Sequence, residues 1–254
     1  MKYDLQKASL LKRASAWILD TILLVVLVTG IATVLSAALQ FDTHTQAVSE
    51  RQSFYETQYG VKFELSQEEY EKLTPEQKET VEAAYQSFSK DEKAVYHYNM
   101  IVNLSMLILT LSVLCGFLAL EFAVPLLFGN GQTVGKRVFA IAVMQQNGVR
   151  VNAVTMFVRT VLGKFTFEAM LPLLMILMMV LGLIGIVGPG VILALLVAEV
   201  VIMITSRTNA TIHDKLAQTV AVDMQSQLIF ADEAELMAYK QRCHEEMVRK
   251  QSYY

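Results

Sequence analysis

Three long apolar blocks interrupt an otherwise polar chain. The first, Ala14 to Leu39, holds one charge, Asp20; the second, Met100 to Phe128, holds only Glu121; the third, Ala169 to Thr205, only Glu199. Each exceeds the roughly 20 residues that cross a ~30 Å hydrocarbon core, and each is apolar on every face, unlike the one-sided stripe of a soluble helix. The pattern predicts an α-helical integral membrane protein. The third block is about twice the length of one span. Gly188-Pro189-Gly190 lies near its middle, with Gly182 and Gly185 just before. Gly-Pro-Gly favours a turn, and Pro189 suits the opening of a new helix. Two spans, 167–187 and 190–206, joined at Gly188–Gly190, are therefore expected, for four transmembrane helices in all. The alternative is one long broken helix and three spans.

Charge orients these spans. Lys2, Lys7, Lys12 and Arg13 precede the first against Asp4 alone. Lys136, Arg137, Arg150, Arg159 and Lys164 lie between the second and third, with no acid from Gly129 to Phe167. The positive-inside rule puts both segments in the cytoplasm. Residues 40–99 instead carry twelve acids against six bases and belong outside. Four spans then return Arg207 and Lys215 to the cytoplasm, so both termini of this multi-pass cell-membrane protein are expected inside. Ser36-Ala37-Ala38 resembles a cleavage site, but so long an apolar run with an internal charge reads as an uncleaved anchor.

The polar parts divide accordingly. Residues 1–39 form the cytoplasmic N-terminus and first span, 40–99 an acidic helical outer loop, and 100–128 the second span. Residues 129–166 form a basic cytoplasmic loop, 167–206 the paired spans, and 207–254 a cytoplasmic strand and charged helical tail. In the outer loop, Ser66 with Glu69 makes a capping box, and Thr74-Pro75 opens a second helix. Val81, Ala84, Tyr85 and Phe88 share one face of that helix, expected to pack on the loop itself or the membrane surface. In the basic loop, Phe139–Met144, the turn Gln146-Asn147-Gly148 and Val149–Val151 predict a β-hairpin. Alternating Gln218–Asp223 could add a third strand, giving a small three-stranded sheet. Asn152 caps a helix whose Arg159 and Lys164 suit an anionic lipid interface, as do Lys136 and Arg137. Ile229 to Gln251 predicts a solvated charged helix.

Composition agrees: 54% hydrophobic and 18% charged depart in both directions from a soluble domain. A net charge of −3 gives no reason to expect nucleic acid. Cys115 and Cys243 cannot build a disulfide framework or, without a Cys/His cluster, a zinc site. The glycine loop Gly131–Lys136 lacks Walker spacing, since Asn130 stands five before Gly135 and Arg137 follows Lys136. No cofactor is expected. His213-Asp214 stands as a lone pair, so no metal is expected either. Without a nucleophile–base pair, an enzyme is not expected.

Three signatures stand in order: Arg13 with Asp20; Gly131-Gln132-Thr133-Val134-Gly135-Lys136; and His213-Asp214-Lys215-Leu216-Ala217-Gln218-Thr219. Together they resemble the RDD family of bacterial multi-pass membrane proteins, named for an arginine and two aspartates. The matching positions are Arg13, Asp20 and Asp214, with Gly131, Thr133, Gly135 and Lys136 in the central motif and His213 beside Asp214. Glu121 resembles a carboxylate often seen in that family's second span. The acidic outer loop and the tail fall outside the resemblance. It implies a multi-pass membrane protein and, for some members, cation/proton exchange.

The residues point the same way. Asp20 lies seven residues beyond Arg13, ~10 Å deeper at 1.5 Å per residue; Glu121 and Glu199 lie at comparable depth from their own cytoplasmic ends. Carboxylates at such depth are costly and mark function by default. One reading is a transporter exchanging Na+, K+ or H+ through Asp20, Glu121 and Glu199, with Glu168 and Asp214 near the mouth. The plainer reading pairs Asp20 with Arg13 or a lysine, Glu121 with the glycine loop's backbone, and Asp214 with Arg159 or Lys136. A second functional class is a non-transporting scaffold whose outer loop docks a protein partner. A homo-oligomer is compatible with either.

Overall fold

The computed structural model describes residues 5–180, 184–185 and 187–251. Lys2, Asp4 and Gly182 lie outside the described residues. The chain forms two compact units, Val28–Val113 and Met1–Leu27 with Leu114–Tyr254.

Among the described residues, three helices are long and apolar enough to cross a membrane: α1, Leu10–Ala38; α5, Glu92–Phe128; and α8, Val187–Thr205. Trp17, Ile18, Ile22, Val25 and Val26 of α1 are exposed, a costly arrangement in water and the favourable one in hydrocarbon. The third apolar block is divided. Helix α7, 153–180, contributes Leu171–Val180 to it, and α8 contributes the rest. The break includes Ile184 and Gly185, which are non-helical, and does not fall at Gly188–Gly190. Gly188, Pro189 and Gly190 occupy the first turn of α8, where proline's missing N–H costs nothing because those donors lack helical partners anyway. Gly188 is buried, and a Cβ there would stand 2.5 Å from Met179 Cγ. The glycine thus admits a close approach of α7 to α8 rather than making their turn.

Two helices depart from α geometry. Leu118–Ala123 within α5 and Val158–Met170 within α7 are π-helical. In the second, the N–H of Leu171 reaches back five residues to Thr166 O, and Thr166 Oγ1 donates to Val161 O at 2.9 Å. The i→i+5 repeat changes which side chains share a face.

The sheet has two strands, β1 (Ile141–Gln145) and β2 (Thr219–Asp223), antiparallel, with Ile141 opposite Asp223 and Gln145 opposite Thr219. The expected hairpin turn forms, with Gln145 N donating to Val149 O at 2.9 Å, but the arm Val149–Val151 pairs with β1 through a single bridge, Met144 to Arg150, and Val149 bridges to Phe230 instead. The physical reason is competition for its backbone: Arg150 N donates to Phe230 O at 2.8 Å. On the far edge, Asp223 N donates to Gln6 O at 2.9 Å and Ala8 N to Ala221 O at 3.2 Å. The sheet therefore draws the N-terminal segment and two distant chain segments together, as the third-strand expectation required.

Each strand is preceded by the same short structure. Thr133, at φ −71° and ψ 172°, caps the five-residue helix α6, Val134–Val138. Ala140 then takes φ 53° before β1 begins. Thr211, at φ −82° and ψ 177°, caps the five-residue helix α9, Ile212–Leu216, and Gln218 takes φ 51° before β2. The hydrogen bonds match as well: Phe139 N to Gly135 O at 3.1 Å answers Ala217 N to His213 O at 3.2 Å. Both strands are buried over four residues. Antiparallel pairing of two equivalent strands makes the arrangement a local two-fold, with an apolar span, α5 or α8, ahead of each copy.

In the unit Val28–Val113, α2 (Phe41–Tyr59) is followed by α3 (Gln67–Glu71) and α4 (Pro75–Lys90). The expected capping box Ser66 with Glu69 forms, and the helix expected to open at Thr74-Pro75 is capped by a second one, Thr74 with Gln77. Val81 and Ala84 are buried, Tyr85 stacks on Phe63 at 4.3 Å, and Phe88 meets the same ring edge-on at 5.5 Å. The apolar face of α4 is thus consumed within its own unit. Arg51 donates through Nε to Asp91 Oδ2 at 2.7 Å and also pairs through Nη2. Arg51, with hydrogen bonds from Ala94 N, Tyr55 and Lys93 N, outweighs burial and holds the Asp91 carboxyl down at about 2. The charged tail forms α10, Glu233–Gln251.

Candidate functional site

The three named charges of the sequence motif do not pair as their spacing suggests. Arg13 turns away from Asp20. Its Nη2 donates to Asp214 Oδ2 at 3.2 Å and its Nη1 to Asn209 O. Arg159, only 2% exposed, donates through Nε and Nη2 to Asp214 Oδ1 at 3.0 and 2.9 Å. Asp214 is fully buried and also accepts from Thr211 Oγ1 at 3.0 Å and Thr219 Oγ1 at 3.2 Å. Burial alone would raise its carboxyl; Arg159, His213 and Arg13 outweigh that and hold it well below the usual carboxylate range. The expected pairing of Asp214 with Arg159 is found, and Arg13 joins it.

Asp20 instead secures the glycine loop. Its Oδ2 accepts from Thr133 Oγ1 at 2.5 Å and its Oδ1 from Gly135 N at 2.7 Å. The same Thr133 oxygen accepts from Lys136 N at 3.3 Å, capping α6. Gly135 has a steric reason: a Cβ would stand 2.3 Å from Ala16 O and 2.9 Å from Asp20 Cγ. Gly131 sits at φ +61°, where its absent Cβ would lie 2.8 Å from Val151. So the backbone of the loop is bonded by Asp20, the role expected of Glu121.

Glu121 is buried and ion-paired to Lys164, with Thr160 Oγ1 donating to its carbonyl at 2.9 Å. Its Oε2 makes no hydrogen bond. Both π-helical segments meet here, for Glu121 lies in one and Thr160 and Lys164 in the other. Two expected lipid-facing bases are thus corrected: Arg159 is buried against Asp214, and Lys164 is committed to Glu121. Arg137 stays exposed, its guanidinium 4.2 Å from the centre of the Phe128 ring. Lys136 faces inward. Burial and the Arg159 guanidinium push its ammonium down to about 7, against the pull of Glu121 and Asp20.

A cavity of about 560 Å³ lies among these groups. Its polar lining includes Asp20, Lys136, Glu168, Glu199 and His213, and apolar residues such as Trp17 and Leu196 complete the wall. Asp20 and Glu199 meet in it as expected; Glu121 stands outside the lining. Glu168, Glu199 and His213 bring one carboxylate or ring atom each to within 4.8 Å of the others. That grouping corrects the reading of His213-Asp214 as a lone pair. His213 Nε2 lies 3.0 Å from Arg159 Nη2, which can only donate. The ring proton therefore sits on Nδ1, which bonds Glu168. Burial pushes the His213 pKa down, against Asp214 and Glu168.

Arg159, Lys164 and Glu168 of α7 all line the cavity. At the 3.6-residue period a step of five changes face. The i→i+5 spacing from Arg159 to Lys164 becomes visible only once the π geometry is known.

Among known proteins, the model of the RDD family matches residues 7–218. No curated protein and no solved structure matches the chain.

Proposed function

Because the chain belongs to the RDD family, whose members are membrane proteins, we propose that it is a four-span cell-membrane protein that exchanges a cation for protons through the cavity. The strand pairing supports four spans. Lys7, β1 and β2 are hydrogen-bonded neighbours, so they lie on one side of the bilayer. An even number of crossings must then separate each from the next. Helices α1 and α5 supply two between Lys7 and Ile141. Since α8 crosses between Gln145 and Thr219, α7 must cross as well. By the positive-inside rule that shared side is the cytoplasm, where both termini lie.

The observation that carries the function is a surplus carboxylate. Around the cavity stand five acids, Asp20, Glu121, Glu168, Glu199 and Asp214, against four bases, Arg13, Lys136, Arg159 and Lys164. Asp214 takes both arginines, Glu121 takes Lys164, Asp20 takes neutral donors and Glu168 takes His213. Among the described residues Glu199 makes no ion pair, and it faces the cavity beside Glu168. A carboxyl group so placed carries a proton or a cation, and exchanging them is the chemistry of an antiporter. The cavity is also shared by both copies of the helix–strand structure, Lys136 coming from one and His213 from the other, the position favoured for sites in transporters built from repeats.

The test is cation flux in proteoliposomes driven by an imposed pH gradient, with E199Q beside the unchanged protein. Flux in the unchanged protein and its loss in E199Q are expected. Equal flux in both would reject Glu199 as the exchanging group; no flux in either would reject transport.

A further inference from the structure

We propose that Glu168, Glu199 and His213 form a binding site for a divalent first-row transition metal, of the Mn2+, Fe2+, Co2+ or Zn2+ class. The inference rests on the cation reading above and narrows its substrate. Three donors arrive from three separate elements, α7, α8 and α9, with ligand atoms all within 4.8 Å of one another. Donors on a tetrahedral ion at about 2.0–2.2 Å stand roughly 3.3–3.6 Å apart, so rotations of the two glutamate side chains close the set.

The donor chemistry selects the class. Alkali and alkaline-earth cations prefer oxygen alone, whereas an imidazole beside carboxylates suits borderline transition dications. Two carboxylates and a neutral imidazole also supply the two negative charges that a dication needs. Arg13 and Arg159 are committed to Asp214 and Lys164 to Glu121, which leaves Lys136 as the one base of the cavity without an ion pair among the described residues.

His213 is held as a ligand would be. It is 7% exposed, and its Nδ1 is directed at Glu168. With a metal on Nδ1, the ring proton moves to Nε2, where Thr211 Oγ1 stands 3.0 Å away; Arg159 Nη2, 3.0 Å from the same nitrogen, then gives up the ring and rests on Asp214 Oδ1 alone, 2.9 Å away. A hydroxyl or carboxylate behind the metal-bound ring is the usual support for such a histidine. The fourth position opens on the cavity, which leaves the ion a way in and out.

The experiment is a titration of the full-length protein in lipid nanodiscs with Co2+, followed by its visible d–d absorption. One saturating equivalent below about 1 mM is expected, and H213Q and E199Q should each weaken it by about tenfold or more. E68Q, in the outer loop, should bind as the unchanged protein does. Because His213 is buried, E199Q alone decides the matter if H213Q does not fold. Absence of saturable binding, or binding unaffected by E199Q, overturns the proposal. The two readings fail separately. Sodium or potassium flux that needs Glu199, without Co2+ binding, keeps the exchanger and discards the metal site; Co2+ binding at these residues without flux of any cation does the reverse.

Discussion

Replacing Asp214 with asparagine tests the electrostatic centre of the fold. The side chain keeps its shape, but two guanidinium groups lose their shared counter-charge. Arg159 and Arg13 are 2% and 13% exposed at the side chain, so water cannot take over from the lost carboxylate. Removing one partner of a buried ion pair costs about 3–5 kcal/mol. For a chain of this size each kcal/mol lowers the melting temperature by about 2–4 °C. Together these give a fall of roughly 6–20 °C for D214N, read by intrinsic fluorescence during heating in detergent. The double variant R159Q/D214N should recover part of the loss, since one unpaired charge goes with it. A D214N protein that melts within about 2 °C of the unchanged chain would refute the reasoning, showing that this ion cluster is hydrated. Because Asp214 stays ionised far below neutral pH, the difference should persist to mildly acid conditions.

G135A should lower the melting temperature and weaken the Asp20 contact, because its methyl group meets backbone oxygen at 2.3 Å; overpacking of this kind costs about 1–3 kcal/mol or more. G30A is the control: nothing lies within 4 Å of its Cβ, and a helical Gly→Ala change should stabilise by up to about 1 kcal/mol. The Asp91 carboxyl is held at about 2, below its unfolded value near 3.9. Its contribution is therefore complete above about pH 4 and lost as the pH falls through about 2. Hydrogen exchange of α2 and α4 should accelerate across that window, and D91N should abolish the pH step. K164M should expose the uncompensated Glu121 carboxylate and lower the melting temperature by about 3 kcal/mol equivalent; no change in the thermal melt would place that pair in solvent.

Long-range apolarity made the spans legible: α1, α5 and α8 follow the runs that Asp20, Glu121 and Glu199 interrupt. Local side-chain chemistry made the capping box at Ser66 and the helix start at Thr74-Pro75 legible too. The pairing partners were not. Arg13 and Asp20 stand seven apart on one helix, yet backbone N–H groups of the glycine loop offered Asp20 better-aligned donors, and Asp214 offered Arg13 a buried carboxylate. The turn signal at Gln146–Gly148 was legible and the turn forms, but the returning arm is cut short where Arg150 N donates to Phe230 O, a contact 80 residues away in the chain that no local pattern announces. Glu168 and His213 lie 45 residues apart, and no periodicity links them. The repeated helix–strand structure is not legible in the sequence because its two copies share geometry, a threonine cap and a positive φ at the eighth residue, with little sequence.

The pairing of β1 with β2 also sets a schedule for synthesis. Ile141 and Thr219 open strands that are 78 positions apart in the chain. At about 5–20 residues per second, the ribosome completes β2 roughly 4–16 s after β1. Throughout that interval β1 carries an open edge, and Arg13 and Arg159 wait without their carboxylate. Both deficits end together, when the segment from Thr211 to Asp223 emerges. A nascent chain whose last span failed to insert would leave that segment across the bilayer, stranding an adhesive strand and two unneutralised arginines for proteases to find. The two-stranded sheet can therefore close only after the whole of α8 has been made.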